Sequence, residues 1–252
     1  MIVRLTLLIL SFVLLLPLPQ ALAKDGIEPA ELSKRMDLLY RAETSKAKMM
    51  MKVVTPNYSR TLKMTVVSRG LDDTLIRIRS PRKERGISTL KKGNEMWNYL
   101  PKIRKTIRIP PSMMMGSWMG SDFTNDDLVK QSSWEKDYDV TWAKDIKRQG
   151  ELCVRSVPKA GAVVNWSQVI SCFDAALTLP TEMIFYDEKK RKVRTITYSD
   201  TKELGGRKVP TKMTLRPLLK DGHETVIVYD DLAFDVELPD NTFTLTNLRR
   251  GR

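Results

Sequence analysis

The sequence predicts a mainly β fold: one antiparallel, meandering, strongly curved sheet with one or two helices packed on its concave face. Three observations carry this. From Ser45 onward, apolar and polar residues alternate with period two in run after run. Turn chemistry separates successive runs at short spacing. Strand–helix–strand alternation is absent, which excludes a sheet built from parallel crossover units.

The elements follow in order. Residues 1–23, MIVRLTLLILSFVLLLPLPQALA, carry Arg4, an apolar run Leu5–Leu16, helix-breaking Pro17 and Pro19, and an Ala21-Leu22-Ala23 ending. This is the layout of a cleavable signal peptide, and the apolar run is shorter than the ~20 residues a spanning helix needs. Lys24 rather than a cysteine follows the expected cut, so no lipid attachment is expected. The rest, 24–252, is read as one exported, soluble domain. A helix is signalled first: Pro29 near its first turn, Glu28 and Glu31 at its start, and a narrow apolar stripe of Leu32, Met36, Leu39 and Tyr40.

The period then changes. In SKAKMMMKV, Lys46, Lys48 and Lys52 alternate with Ala47, Met49, Met51 and Val53; in SRTLKMTVVSR, Leu62, Met64 and Val66 alternate with Thr61, Lys63 and Thr65. TLIRIRS continues with Ile76 and Ile78 against Arg77 and Arg79. Such runs are strands with one wet and one apolar face. Asp72-Asp73, Lys92-Gly93-Asn94, Gly205-Gly206 and Lys220-Asp221-Gly222 supply the turns. A short helix is expected over Asp126–Gln131, capped by Thr124 or Asn125. Strand-like runs resume from WEKDYDVTW to ETVIVYDDLAFDV.

The formal net charge is +13. In an exported chain this points to anionic lipid headgroups or acidic partners rather than nucleic acid. Singly, the basic clusters at 81–85, 101–105 and 188–194 read as solvated strand edges and turns. The cysteines, Cys153 and Cys172, stand on flanking strand-like runs. An oxidising compartment suggests a bridge between them, provided the strand register sets them opposite, with a gain of about 3 kcal/mol. A single histidine, His223, argues against zinc. Nucleophile-elbow, phosphate-loop and zinc-protease motifs are missing, and pairs such as Asp126-Asp127 read as caps and turn formers. Binding, with no cofactor and no catalysis, is the expected activity.

Methionine is the distinctive chemistry. The chain has thirteen, twelve of them beyond residue 23. Methionine is unbranched and soft, so it adapts to ligands of variable shape. The stretch PPSMMMGSWMGSDF (110–123) has the composition of a mobile cover, with Met113, Met114, Met115, Trp118, Met119 and Phe123 as candidate lid residues. Met49, Met51, Leu62, Met64, Met96 and Trp97 are the candidate lining beneath it. So large a sheet with so little helix leaves either a second sheet layer or a cavity. The first is a β-sandwich with a filled core, suited to an envelope adaptor. The second is a half-open barrel with a lid, suited to acyl chains.

The run MWNYLPKIRKTIRIPPSMMMGSWMGSDFTNDDL (96–128) resembles the LolA-like outer-membrane lipoprotein-sorting proteins, in the branch often found beside transporters of the RND class. LPTEMIFYDEKKRKVRTITYSD, GGRKVPTKMTL and FDVELPDNTFTLTNLRR are similar to that branch too. The resemblance implies an incomplete, half-open antiparallel β-barrel with an N-terminal helix and a short helix/loop lid over a hydrophobic cavity. It implies a periplasmic carrier that shuttles acyl chains of lipoproteins or lipids from an inner-membrane transporter to an outer-membrane acceptor. It also implies an arginine that holds the lid closed, at a position not alignable in this sequence. Two further readings stand beside it: an envelope adaptor associated with an RND-class transporter, and an exported enzyme acting on lipids or glycans.

Overall fold

The computed structural model describes residues 27–129, 134–162, 164–176 and 179–250. The expected signal peptide, 1–23, and the end of the helix expected over Asp126–Gln131 lie outside the described residues. The chain opens with α1 (Pro29–Leu38) and then forms β1 (Thr44–Val54), β2 (Ser59–Arg69), β3 (Asp73–Ser80), β4 (Ser88–Lys92), β5 (Glu95–Leu100) and β6 (Lys105–Arg108). Two 3₁₀ turns, Pro111–Met113 and Trp118–Gly120, and two short helices, α2 (Asn125–Val129) and α3 (Trp134–Asp137), follow. The second half is β7 (Tyr138–Trp142), β8 (Glu151–Pro158), β9 (Gln168–Asp174), β10 (Pro180–Tyr186), β11 (Lys192–Leu204), β12 (Arg207–Pro217) and β13 (Glu224–Phe234), closed by α4 (Leu245–Arg249).

All thirteen strands form one antiparallel sheet in the order β6-β5-β4-β3-β2-β1-β13-β12-β11-β10-β9-β8-β7. Every neighbouring pair is consecutive in the chain except β1 with β13. The sheet does not close into a barrel: β6 and β7 are its free edges, and the segment 109–137 runs from one to the other. The edge β6 is exposed throughout and carries Lys105 and Arg108, which discourages pairing with another chain.

The strands form where alternation demands them. β1 is buried at Ala47, Met49, Met51 and Val53 and exposed at Lys46, Lys48 and Lys52. Across β1 and β2, Ala47 faces Val66, Met49 faces Met64 and Met51 faces Leu62. Register shifts fall at Lys48/Met49 against β13 and at Lys63/Met64 against β3. Two bulges therefore sit on one cross-strand pair, and bulges bend and twist the strand that carries them. The sheet curves where Met49 and Met64 point inward. The hairpin between β11 and β12 turns on Gly205 and Gly206, both at positive φ, and a Cβ on Gly205 would lie 2.6 Å from the Leu232 carbonyl oxygen.

The main apolar core lies on the concave face, where Met51, Leu62, Val169 and Leu215 are fully buried. α1 closes one side of that face, with Leu32 packed against Val154 and Phe173. Its C-terminal end is tied to β13 by a stacked pair, Tyr40 and Tyr229, with ring centroids 4.3 Å apart. The convex face has its own covers. The stretch after β13, ending in α4, lays Phe243 and Leu248 over Leu75 and Leu90. The sequence pattern did not reveal α4, a single turn and a half whose signal is Thr244, which caps the Asn247 amide at 3.1 Å.

On β8 and β9, Cys153 faces Cys172 in register, and their sulfurs are bonded at 2.07 Å. The bridge sits beneath Ala143 with Ile170 and Ile184. Replacing both cysteines by alanine is expected to lower the unfolding free energy by about 3 kcal/mol. Urea denaturation checks this; a change below about 1 kcal/mol would mean that strand pairing alone holds this hairpin.

Candidate functional site

The segment joining the two free edges is where the site is built. Ile109 continues β6 along β5 by donating its amide to the Met96 carbonyl at 2.8 Å. Pro110 is extended, and Pro111 sits in the first 3₁₀ turn, where its lacking amide is no loss. The stretch PPSMMMGSWMGSDF is then knotted rather than loose. Met113 O accepts from the Gly116 amide (3.0 Å) and from Asn125 Nδ2 (3.1 Å), the Asp126 amide donates to Met114 O (2.8 Å), and the Trp118 amide donates to Phe123 O (2.8 Å). Met119 and Gly120 turn the chain at positive φ. Arg60 of β2 donates to Met119 O, and Asp122 exchanges bonds with Thr225 of β13 at 2.7 and 3.0 Å. One end of the cover is thus pinned to the sheet.

The other end carries the charge. Thr124 and Asp127 form a reciprocal capping box at the start of α2, with the Asp127 amide donating to Thr124 Oγ1 (3.1 Å) and the Thr124 amide to Asp127 Oδ2 (2.8 Å). The same carboxylate accepts both terminal nitrogens of Arg194, on β11, at 2.7 and 2.8 Å. The guanidinium lies over Phe185 and Trp166, 4.1 and 4.3 Å from the ring centroids. Both side chains are largely withdrawn from water, at 8% and 14% exposed. Burial alone would push the Asp127 carboxyl up. The adjacent Arg194 charge, its hydrogen bonds and those of Thr124 outweigh that and hold it below the usual carboxylate range.

Between cover and sheet lies a cavity of about 230 Å³. Its walls are chiefly apolar: Met49, Met64, Met96, Met183, Phe185 and Ile196 from the sheet, Met36 and Leu39 from the α1 end, and Trp118, Phe123 and Leu128 from the cover. Trp118 also donates its indole N–H to Thr89 Oγ1 at 3.1 Å. Its charged lining is Asp37, Arg41, Lys91, Asp126, Asp127 and Arg194.

Of the residues expected at the site, Met49, Met64, Met96, Trp118 and Phe123 line the cavity. Met51 and Leu62 lie further along the same face, fully buried in the packed core. Met114 and Met119 pack against that core from the cover. Met113 and Met115 point to solvent, at 55% and 49% exposed, because the bonds that tie Met114 inward leave its neighbours facing out. Trp97 belongs to the opposite face: β5 alternates, so with Met96 inward Trp97 packs near Phe243 and Leu248. Alternation would also have found Met183, Ile196, Tyr198, Met213 and Tyr229. No local signal distinguishes Arg41, Lys91 or Arg194 from the many solvated cations around them.

The comparisons with known proteins agree with this geometry. A family model described as "Uncharacterized protein" matches residues 70–250. No curated protein matches the sequence. Several solved structures share the fold. A DUF1329 family protein from Desulfovibrio piger is 25% identical, with a TM-score of 0.77 over 87% of this chain and 97% of that one. A putative outer membrane lipoprotein-sorting protein domain from Vibrio parahaemolyticus is 24% identical, with a TM-score of 0.75 over 88% and 98%. A LolA superfamily protein from Nitrosomonas europaea is 19% identical, with a TM-score of 0.73 over 88% and 100%. The half-open, lidded sheet is the fold of these LolA-like structures, and the chain belongs to the family of uncharacterized proteins whose model matches residues 70–250.

Because Asp127 is depressed in the folded state, its pairing stabilises the protein fully above the unfolded carboxylate pKa of ~3.9 and loses that contribution as pH falls through the lower folded value. Asp127→Asn leaves Arg194 buried without its anion. It is expected to destabilise the protein by about 3 kcal/mol at pH 7. The gap to the wild type should narrow as the pH is lowered below about 4; urea denaturation at both pH values checks the size and the sign.

Proposed function

We propose that this chain is a periplasmic carrier that holds acyl chains of lipoproteins or lipids in the cavity and moves them between the inner and outer membranes, catalysing no reaction. Residues 1–23 direct export and 24–252 form the single carrier domain. The observation that carries this reading is the methionine-walled cavity enclosed by the segment that spans the open seam of the sheet.

The physical task is desolvation. Each CH₂ group left in water costs roughly 0.8 kcal/mol, so a chain of a dozen or more carbons does not cross an aqueous compartment unaided. A carrier must lower that cost and still release. Thioether walls serve both ends, because they repack around chains of different length and make no directional bonds. Trp118 and Phe123 fill part of the space beneath the cover, so an entering chain displaces side chains rather than water alone. Arg194 takes the role of the arginine that holds the lid: its pairing with Asp127 fastens α2 to β11, and cargo entry loosens that fastening. An inner-membrane transporter, of the RND class or another, is the proposed donor, and an outer-membrane acceptor receives the cargo. The cavity supports this reading over an adaptor with a filled core.

Native mass spectrometry of protein isolated gently from its own cells is expected to show bound acyl species. The folded protein is expected to bind an environment-sensitive hydrophobic dye. Met64→Trp, which fills the cavity from its wall, should weaken dye binding at least tenfold. Met113→Ser with Met115→Ser, at exposed positions, should leave it unchanged. Absence of both ligand and dye binding in the folded protein would overturn the carrier reading.

A further inference from the structure

Two basic clusters that read singly as solvated turns come together in the fold, and the end of α4 joins them. The loop 81–87 connects β3 to β4, and the turn 101–104 connects β5 to β6. All four strands are antiparallel neighbours, so both connections lie at one end of the sheet. Leu75 of β3 packs under Phe243 and Leu248 on the convex face, and alternation places Arg77 and Arg79 on that face too. Arg77 Nη2 donates to the Asn247 carbonyl oxygen at 2.5 Å and to its side-chain oxygen at 2.9 Å, which fixes the last turn of α4 against β3. Arg249 and Arg250 are thereby held beside Arg79 and the two connections.

An open cleft forms where these elements meet. Arg79, Arg85, Arg249 and Arg250 line it, with Tyr99 and Pro101 among its other walls, and its lining includes no carboxylate. It lies on the opposite face of the sheet from the methionine-walled cavity and shares no residue with it. Three of the four guanidiniums are oriented through Nε alone. Arg79 Nε donates to Thr65 Oγ1, Arg85 Nε to the Arg79 carbonyl oxygen and Arg249 Nε to the Leu245 carbonyl oxygen, each at 3.1 Å. Among the described residues their terminal nitrogens have no partner. Glu84 is the one acidic residue in loop 81–87, turn 101–104 and α4, and it is nearly buried and engaged by Arg60 at 3.0 Å. Burial and, after it, the Arg79 charge pull the Arg77 guanidinium down, as like charges held close do.

Forks that are fixed in place and free at their tips are made for an oxyanion, which they bind bidentately. A carboxylate offers two oxygens in one plane. A phosphomonoester offers three oxygens around a tetrahedral centre and about two negative charges, so it accepts at once from forks that approach from different sides. Here they approach from β3, from the loop 81–87 and from α4. The surroundings bear on what presents the phosphate. Ile103, in the β5–β6 turn, is 57% exposed, and Lys102, Arg104 and Lys105 around it are exposed as well. A bare aliphatic side chain among cations suits the headgroup layer of an anionic bilayer.

We propose that this cleft binds a phosphate group, presented by a lipid headgroup at a membrane surface, with Arg79, Arg85 and Arg249 as its ligands. The site lies outside the cavity and does not depend on the carrier reading. In a carrier it would hold the convex end of the molecule against a membrane while the cavity stays free to load or release.

Flotation of the purified protein with phosphatidylcholine vesicles tests this, at an ionic strength of about 0.15 M, where long-range attraction is largely screened. The vesicles carry either phosphatidate or oleate, matched in zeta potential. Half-maximal binding to the phosphatidate vesicles is expected at a lipid concentration at least fivefold below that for the oleate vesicles. Arg85→Gln with Arg249→Gln, both at exposed positions, should abolish this preference. Lys144→Gln with Lys147→Gln, which removes as much charge from exposed positions at the other end of the sheet, should preserve it. Calorimetry with inorganic phosphate separates the sources. No heat, alongside the vesicle preference, assigns the phosphate to a lipid; binding that the arginine variant loses keeps the phosphate site and makes its ligand soluble. Equal binding to both vesicles with no heat from inorganic phosphate overturns the site, and so do equal losses in the two double variants. Binding of the hydrophobic dye should be unchanged in both variants, which shows that they are folded and keeps failure of this site distinct from failure of the carrier reading.

Discussion

The pairing of β1 with β13 is the contact on which the rest of the molecule depends. Each strand is eleven residues long, and their ladder runs from Ser45 opposite Phe234 to Val54 opposite Glu224. Every other pairing in the sheet joins strands adjacent in the chain and closes a short loop. This one joins the first strand to the last, and it places both in the middle of the sheet. The free edges must then be β6 and β7, which are consecutive in sequence. The chain between them must pass from one edge to the other, and its described residues Trp118, Phe123, Leu128 and Trp134 pack on the concave face. A lid at that place is a consequence of the topology before it is a property of any residue in it.

Curvature and chemistry follow from the same frame. Bulges at Lys48/Met49 and Lys63/Met64 bend the sheet beside the cavity, so the concave face encloses space instead of packing flat on a second layer. Within that space, ionic groups are used in two ways. Asp127 and Arg194 satisfy one another in a bidentate pair, with aromatic rings over the guanidinium, and so join cover to sheet with a directional bond inside an apolar setting. Buried pairs of this type add little net stability compared with apolar packing, but breaking one is expensive, which makes the closed arrangement specific. Lys91, by contrast, is nearly buried and bonds a backbone carbonyl, that of Leu71.

Much of this was legible in the sequence, and the rest was hidden for identifiable reasons. Alternation in SKAKMMMKV and SRTLKMTVVSR gave the inward faces of β1 and β2, because a half-buried strand has to repeat every two residues. Gly205-Gly206 and Gly222 marked hairpin turns, where positive φ is required. The run PPSMMMGSWMGSDF was recognisable as a cover from its punctuation. Its internal wiring was not, since hydrogen bonds from Asn125 and Asp126 back to Met113 and Met114 decide which methionine points where. Thus Trp118 and Phe123 enter the cavity while Met113 and Met115 face water. The charged lining was invisible for a different reason. Lys91 and Lys92 are neighbours of one type in one strand, and strand alternation turns the first to the covered concave face while the second stays exposed. Arg194 likewise stands amid the basic run EKKRKVR and differs from it only in the face it occupies.

The central claim is that the segment spanning the seam is a cover that opens while the sheet stays folded. Native-state hydrogen exchange of the amides in 110–129, compared with those of β1, β2 and β13, tests it most directly. The cover's amides are predicted to exchange through an opening of much lower free energy than global unfolding, at a rate that Asp127→Asn increases and that leaves the central strands unaffected. Exchange of the cover only together with β1 and β13, in one cooperative unfolding, would contradict the account and make the segment a fixed part of the core.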